Sequence, residues 1–166
     1  MKKSNLALAV ALGAIAQHAG AAGFIEDSHA TLSARNFYIN TDNRDGAPTA
    51  SSRSKNAEWG QGFDLRFISG YTQGTVQFGV DAIGLYGVRL DSSRENHGNY
   101  SGTASGGTIF PSDGNKAVND FASLGVTGKV KISQTELKLG TLQPKLPVIV
   151  TNDGRMLPQR FPGGQI

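Results

Sequence analysis

Between Thr75 and Leu90 the chain alternates with a period of two. Val76, Phe78, Val80, Ala82, Tyr86, Val88 and Leu90 occupy even positions, interrupted only by Gly84. Gln77, Asp81 and Arg89 occupy odd positions, with Gly79, Ile83, Leu85 and Gly87 between them. This period predicts a strand with one apolar face and one mixed face. Strands of soluble domains run to about 5–6 residues, whereas a tilted strand that crosses a bilayer needs about 9–11. The length of 75–90 therefore reads as a stave of a membrane barrel.

The same alternation recurs along the chain. In 30–38, Ala30, Leu32 and Ala34 oppose Thr31, Ser33 and Arg35. Phe37 and Ile39 then share the side of Arg35, which predicts a bulge or a strand end near Asn36. In 58–69, Trp59, Phe63, Leu65 and Phe67 oppose Glu58, Gly60, Gly62, Asp64 and Arg66, with Gln61 the one polar residue on the apolar side. In 121–132, Ala122, Leu124, Val126, Val130 and Ile132 oppose Ser123, Thr127, Lys129 and Lys131. In 135–142, Leu137 and Leu139 oppose Glu136 and Lys138. From Gln143 on, Pro144, Pro147, Pro158 and Pro162 predict an irregular segment without strand pairing.

Short turns at 70–74 and 133–134 alternate with long connections at 40–56, 91–120 and 143–166. Outer-membrane barrels alternate in this way, with short turns inside and long loops outside. With a periplasmic start, the three long connections face the exterior. Trp59 then belongs to the outer aromatic girdle, and Tyr71 and Phe78 to the inner one. Phe121 breaks the pattern, because its parity points it inward.

The charges keep to one parity through four strands. Arg35, Arg66, Arg89, Lys129, Lys131 and Lys138 lie on it, with Glu58, Asp64, Asp81 and Glu136 for company. In a barrel this parity lines water, and rows of basic groups in a confined channel attract anions. The candidate chemistry is hand-over of a carboxylate from one cation to the next. In a soluble sandwich the same charges would be an ordinary solvated surface.

Composition supports the barrel. The 166 residues suffice for one domain, hydrophobic residues make up 38%, and there are 22 glycines and no cysteine. Only half of each barrel strand needs to be apolar. Lys2 and Lys3 precede an apolar run, Leu6 to Ala16, and the small residues Ala19-Gly20-Ala21. This is the pattern of a cleaved signal peptide over 1–22, with the mature chain from 23. Without those two lysines, 14 basic residues face 13 acidic ones, so the charge does not argue for nucleic acid. After the leader no apolar run approaches the length of a spanning helix.

No catalytic constellation stands out, and no cofactor or metal is expected. His29 lies near the mature start and His97 in a long loop; each reads as an isolated, solvated histidine. Gly102–Gly107 contains a serine among glycines, but the flexibility of a loop explains it better than a nucleophile elbow.

The residues that go beyond a general barrel pattern are Gly23-Phe24-Ile25-Glu26-Asp27-Ser28, Arg35-Asn36-Phe37-Tyr38, Glu58-Trp59 and Ser69-Gly70-Tyr71-Thr72. Phe78-Gly79-Val80-Asp81-Ala82, Thr135-Glu136-Leu137-Lys138, Pro144-Lys145-Leu146-Pro147 and Asn152-Asp153-Gly154-Arg155 continue the series. In these the chain resembles the N-terminal part of OprD-type porins, the outer-membrane carboxylate channels. The resemblance implies an all-β fold, an antiparallel transmembrane barrel of eighteen strands to which this chain contributes about five. It implies passive uptake of small anionic or zwitterionic solutes, amino acids among them, with outer-membrane lipid as the surroundings. It implies that the third external loop, here 143–166, narrows the pore, with Asp153 and Arg155 as its lumen-facing charges. Arg35 lies within the matching first-strand motif. Five strands cannot close a barrel, so the chain reads as a portion or a truncated product that is not expected to conduct alone. The competing readings are a soluble periplasmic β protein that binds a small ligand, and a structural barrel with a filled lumen.

Overall fold

The computed structural model describes residues 23–42, 55–92, 97, 109–114 and 116–166. Residues 1–22, expected to be a signal peptide, and the Gly102–Gly107 run lie outside the described residues, as does much of the 40–56 and 91–120 connections.

Among the described residues ten strands follow one another: β1 (His29–Asp42), β2 (Lys55–Ile68), β3 (Val76–Asp91), β4 (Ser112–Asp113), β5 (Lys116–Ala117), β6 (Asp120–Ile132), β7 (Thr135–Leu142), β8 (Lys145–Leu146), β9 (Ile149–Val150) and β10 (Phe161–Gln165). Six form one antiparallel sheet in the order β1-β2-β3-β6-β7-β10, and β4-β5 and β8-β9 are small hairpins. Among the described residues no helix is long and apolar enough to cross a membrane.

The alternation sorts the two faces. One face is bare and carries Leu32, Leu65, Phe78, Tyr86, Leu124 and Leu139, all exposed, with Leu124 at 68%. A soluble monomer does not leave so continuous an apolar face in water. Phe63 and Tyr86 stack on this face with centroids 6.5 Å apart. The long connections fold onto the other, inner face. Ile109, Phe110, Ala117 and Met156 form a buried cluster there, and Phe37, Ile39, Phe121 and Leu157 pack against it.

This cluster resolves the parity break in β1. No bulge occurs at Asn36: the β1–β2 register runs unbroken from His29 opposite Ile68 to Asp42 opposite Lys55. Phe37 and Ile39 point inward because loop residues cover them, so the inner face is dry at this end. The bulge lies instead at Trp59/Gly60, between β2 and β3. Gly60 is obligatory for the packing, since a Cβ there would collide with Phe110 and Met156. Phe121 does point inward, where it meets Phe110 edge-on with centroids 6.0 Å apart.

Polar residues on the bare face are tied together. The Trp59 indole donates to Asn36 Oδ1 at 2.9 Å, and Asn36 Nδ2 donates to Gln61 Oε1 at 3.1 Å. Such a cluster suits an interface where one side is apolar and the other wet.

The segment after Gln143 is less irregular than its prolines predict. It holds two short strands, and then β10 pairs with β7, Phe161 opposite Leu142 and Gln165 opposite Lys138. Pro162 lies within this pairing, opposite Thr141. β7 kinks at Gly140, whose φ of +140° suits glycine.

Candidate functional site

The inner face divides into three stations. At the loop end, charged groups are engaged by the protein. Glu58 and His97 are both fully buried and form an ion pair through Glu58 Oε1 and His97 Nδ1. His97 Nε2 lies 2.7 Å from Ser112 Oγ, and the Ile109 backbone N–H donates to Glu58 Oε2 at 2.7 Å. His97 is therefore not a solvated loop histidine, and Glu58 does not line water. A buried polar side chain needs such hydrogen-bond partners. Arg89 donates to the carbonyls of Ala117 (2.9 Å) and Ser92 (3.3 Å) and to the Asn119 side chain. It fixes the connection between β3 and β6.

Arg35 likewise holds a loop. Its Nη1 donates to the carbonyls of Asp153 (2.9 Å) and Arg155 (2.7 Å), and its Nη2 pairs with Asp153 Oδ2 at 2.7 Å. Arg35 thus ties the loop after β9 to the inner face. The hydrogen bond from Arg35 holds the Asp153 carboxyl below its usual value; the charges of Arg35, Arg66 and Lys145 act the same way against slight burial. The Arg155 side chain is exposed and makes no hydrogen bond or ion pair with a described residue.

The middle station centres on Arg66. The strand period puts Asp64 two residues before it on the same face. Arg66 Nε lies 3.0 and 3.1 Å from the two Asp64 oxygens, and Nη2 lies 2.6 Å from Oδ2. One edge of the guanidinium is thereby fixed. Of its five N–H donors, those on Nη1 have no partner among the described residues. Two recesses meet at Arg66. One, of about 220 Å³, is lined by Arg35, Asp64, Asp153 and Met156 as well. The other, of about 200 Å³, adds Asp81, Lys138, Gln143 and Gln165.

The turn end carries three lysines. Lys129 and Lys138 face each other directly across β6 and β7, an unfavourable pairing of like charges. Each has its own acid. Lys129 Nζ pairs with Asp81 at 2.7 Å and donates to the Ser69 carbonyl at 2.7 Å. Lys138 Nζ lies 3.2 Å from Glu136 Oε2. Lys129 is only 4% exposed and crosses Gly79, where a Cβ would strike its side chain. Lys131 Nζ lies 5.6 Å from the centroid of the Tyr71 ring, and Lys129 Nζ 4.8 Å. Tyr71 is therefore not part of an inner aromatic girdle. The turn folds back over the sheet end, and the Tyr71 hydroxyl donates to Glu136. Trp59 and Phe78 do stand exposed, on the bare face.

Of the eight charged residues singled out by sequence, then, Arg66, Lys131 and Lys138 face partly open space, and Arg155 is exposed on the loop. Arg35, Arg89 and Lys129 are anchored to backbone carbonyls, and Asp153 is paired with Arg35. The periodicity missed Tyr71 and His97, because both sit in connections, where parity carries no information. Their only signal was composition: an aromatic between glycines, and a histidine in a polar loop. Among the described residues no group of histidine, aspartate or glutamate is arranged to hold a metal.

Comparison with known proteins follows the same lines. A family model described as outer membrane porin, OprD family, matches residues 22–166. The chain is 41% identical over 161 residues to the porin-like protein GalP of Pseudomonas putida, covering 97% of this chain and 35% of that one. The structure of OccK9 (OpdG) of Pseudomonas aeruginosa superposes with a TM-score of 0.73 at 48% identity, over 86% of this chain and 34% of that one. OpdK of the same organism, solved with vanillate, gives a TM-score of 0.67 at 38% identity over 86% and 32%. The chain thus spans about a third of the length of these relatives. The relatives are channels, not enzymes, and the bare apolar face is the one a barrel turns to lipid. With the family model spanning 22–166, this chain belongs to the OprD family of outer-membrane porins.

Proposed function

We propose that the inner face of this sheet forms part of the wall of a channel for small carboxylate-bearing solutes, with Arg66 as its principal station. The reading rests on one observation. Arg66 lines both recesses, and Asp64 holds one edge of its guanidinium while the donors of Nη1 are left over. A carboxylate fits the open side of such a fork, because charge-assisted N–H···O bonds to a planar guanidinium are short and directional. Lys138 lies in the next recess and Lys131 beyond it, so an anion leaving Arg66 meets further cations at each step. Arg155 offers an exposed charge from the loop side. Arg35 and Asp153 shape the passage by holding the loop inward, the narrowing expected of 143–166. Lys129 and Arg89 act on the field of the wall from behind their partners. With a periplasmic start, the loop end faces the exterior and the turn end the periplasm.

Passage is passive. Attraction must be strong enough to admit the anion and divided among sites so that it can leave. The ligand in the OpdK structure, vanillate, is itself a small carboxylate, which fits this class. A soluble ligand-binding protein is not favoured, since its sheet would have to bury the bare face.

Liposome uptake by the full-length porin tests the reading. Arg66→Gln should slow vanillate entry several-fold and leave a neutral solute of similar size nearly unchanged. Equal rates for both solutes in the wild type, or an unchanged vanillate rate in the variant, would overturn it.

A further inference from the structure

Lys131 and Glu136 face each other directly across the hairpin of β6 and β7, two residues from its turn. Opposite charges in that position ordinarily form a cross-strand ion pair. Here they do not. Both Glu136 oxygens are taken: Oε1 by the Tyr71 hydroxyl, Oε2 by Lys138 Nζ at 3.2 Å. Lys131 instead stands over the Tyr71 ring, with no ion pair among the described residues. A cation over an aromatic face is attracted but keeps its full charge, whereas a carboxylate would cancel it.

We infer that Tyr71 is a positioning residue: it draws Glu136 away from Lys131, and so leaves Lys131 as an uncompensated cation at the turn end of the channel wall. The inference rests on reading the inner face as a carboxylate path. Tyr71 is not placed there by accident. Its segment is held from two sides, by Ser69 N–H to the Val80 carbonyl (3.1 Å) and Thr72 N–H to the Phe78 carbonyl (2.9 Å), and by Gly70 N–H to the Phe24 carbonyl (2.9 Å). The ring therefore stays over the end of the sheet. Of the two lysines beside it, Lys129 is already neutralised by Asp81. Only Lys131 gains from the diversion of Glu136. Without the hydroxyl, Glu136 would turn to the nearer strand partner, and the last cation before the turn-side opening would be lost.

The test is the zero-current potential across a salt gradient for the full-length porin in planar lipid bilayers, with a heat-modifiable gel band confirming that each variant has folded. Lys131→Gln should lower the preference for anions. Tyr71→Phe, which keeps the ring and removes only the hydroxyl, should lower it in the same direction. In a Glu136→Gln background Tyr71→Phe should have no effect, because no carboxylate is left to be released. Two results overturn the inference: an unchanged potential in Tyr71→Phe, or an equal loss with and without Glu136. A silent Lys131→Gln also overturns it. If Arg66→Gln still slows carboxylate entry in that case, the proposed function stands and this inference alone falls.

Discussion

At the loop end of the inner face, Glu58 and Arg89 meet their match within the protein: a buried histidine and a backbone amide for one, two carbonyls and an asparagine for the other. In the middle of the same face, Arg66 has one carboxylate partner and lines open recesses on either side. Arg89 shares its residue type with Arg66, Glu58 shares its strand, and all three stand on the inner face. The difference is the cover. Loop residues, with Phe110 and Met156 foremost, dry out the first region, so its charges must be satisfied internally. The second stays open, and Nη1 of Arg66 has no partner among the described residues. The same inner face thus holds charges that fasten the protein to itself and charges left open, and the covering loop residues separate Glu58 from Arg66.

Three experiments would break or sharpen that contrast. Glu58→Ala has the largest expected effect. It strands the buried His97 and the Ile109 amide, and losing one member of a buried pair costs about 3–5 kcal/mol. Thermal unfolding of the refolded porin should show a drop well beyond that of Arg66→Gln, where water can replace the missing group. If the two variants are destabilised alike, the regions do not differ as described. Met156→Ala comes next. Met156 is 1% exposed and fills the space above Gly60 and Gly62, and such truncations cost about 2–5 kcal/mol. Loosening the loop should also raise the single-channel conductance; an unchanged conductance would separate the packing of the loop from the width of the pore.

The smallest effect concerns Asp153. Its carboxyl is held below the usual value by Arg35. A depressed carboxylate stabilises the fold fully above its ordinary pKa, about 3.9. That contribution is lost as the pH falls through the lowered value. The pair is exposed, so it is worth at most about 1 kcal/mol. Asp153→Asn should lower the unfolding temperature slightly near neutral pH, and the gap should close in strong acid. A gap that persists there would mean the backbone bonds of Arg35, not the carboxylate, report the difference.

Much of this was legible in the chain. The period of two located the main strands to within a few residues and assigned their faces, because each strand in a barrel wall has one lipid side and one inner side. The parity of Phe121 points inward correctly, whereas that of Phe37 suggests a bulge or strand end near Asn36, because the reason for its inward position is hidden. Their partners Phe110 and Met156 lie in connections rather than on the strands, where no period operates. β10 was hidden for a different reason. Pro162 argues against a strand, yet the segment pairs with β7, Pro162 opposite Thr141. Tyr71 was misplaced because aromatic residues near turns usually mark the membrane interface, and only the fold-back of the turn carries this one inside. Which basic residues stay open to solvent was not legible at all, since that depends on where the loops come to rest.

Two of the three bonds from Arg35 to the loop end on main-chain carbonyls, those of Asp153 and Arg155. Carbonyls are the same whatever side chain follows them. The loop can therefore exchange its side chains, and with them the solutes it favours, while its seat against the wall is kept. A loop seated this way can vary its exposed side chains, such as Asn152 and Arg155, without first having to solve again where it should lie, whereas the buried Met156 is held to its type.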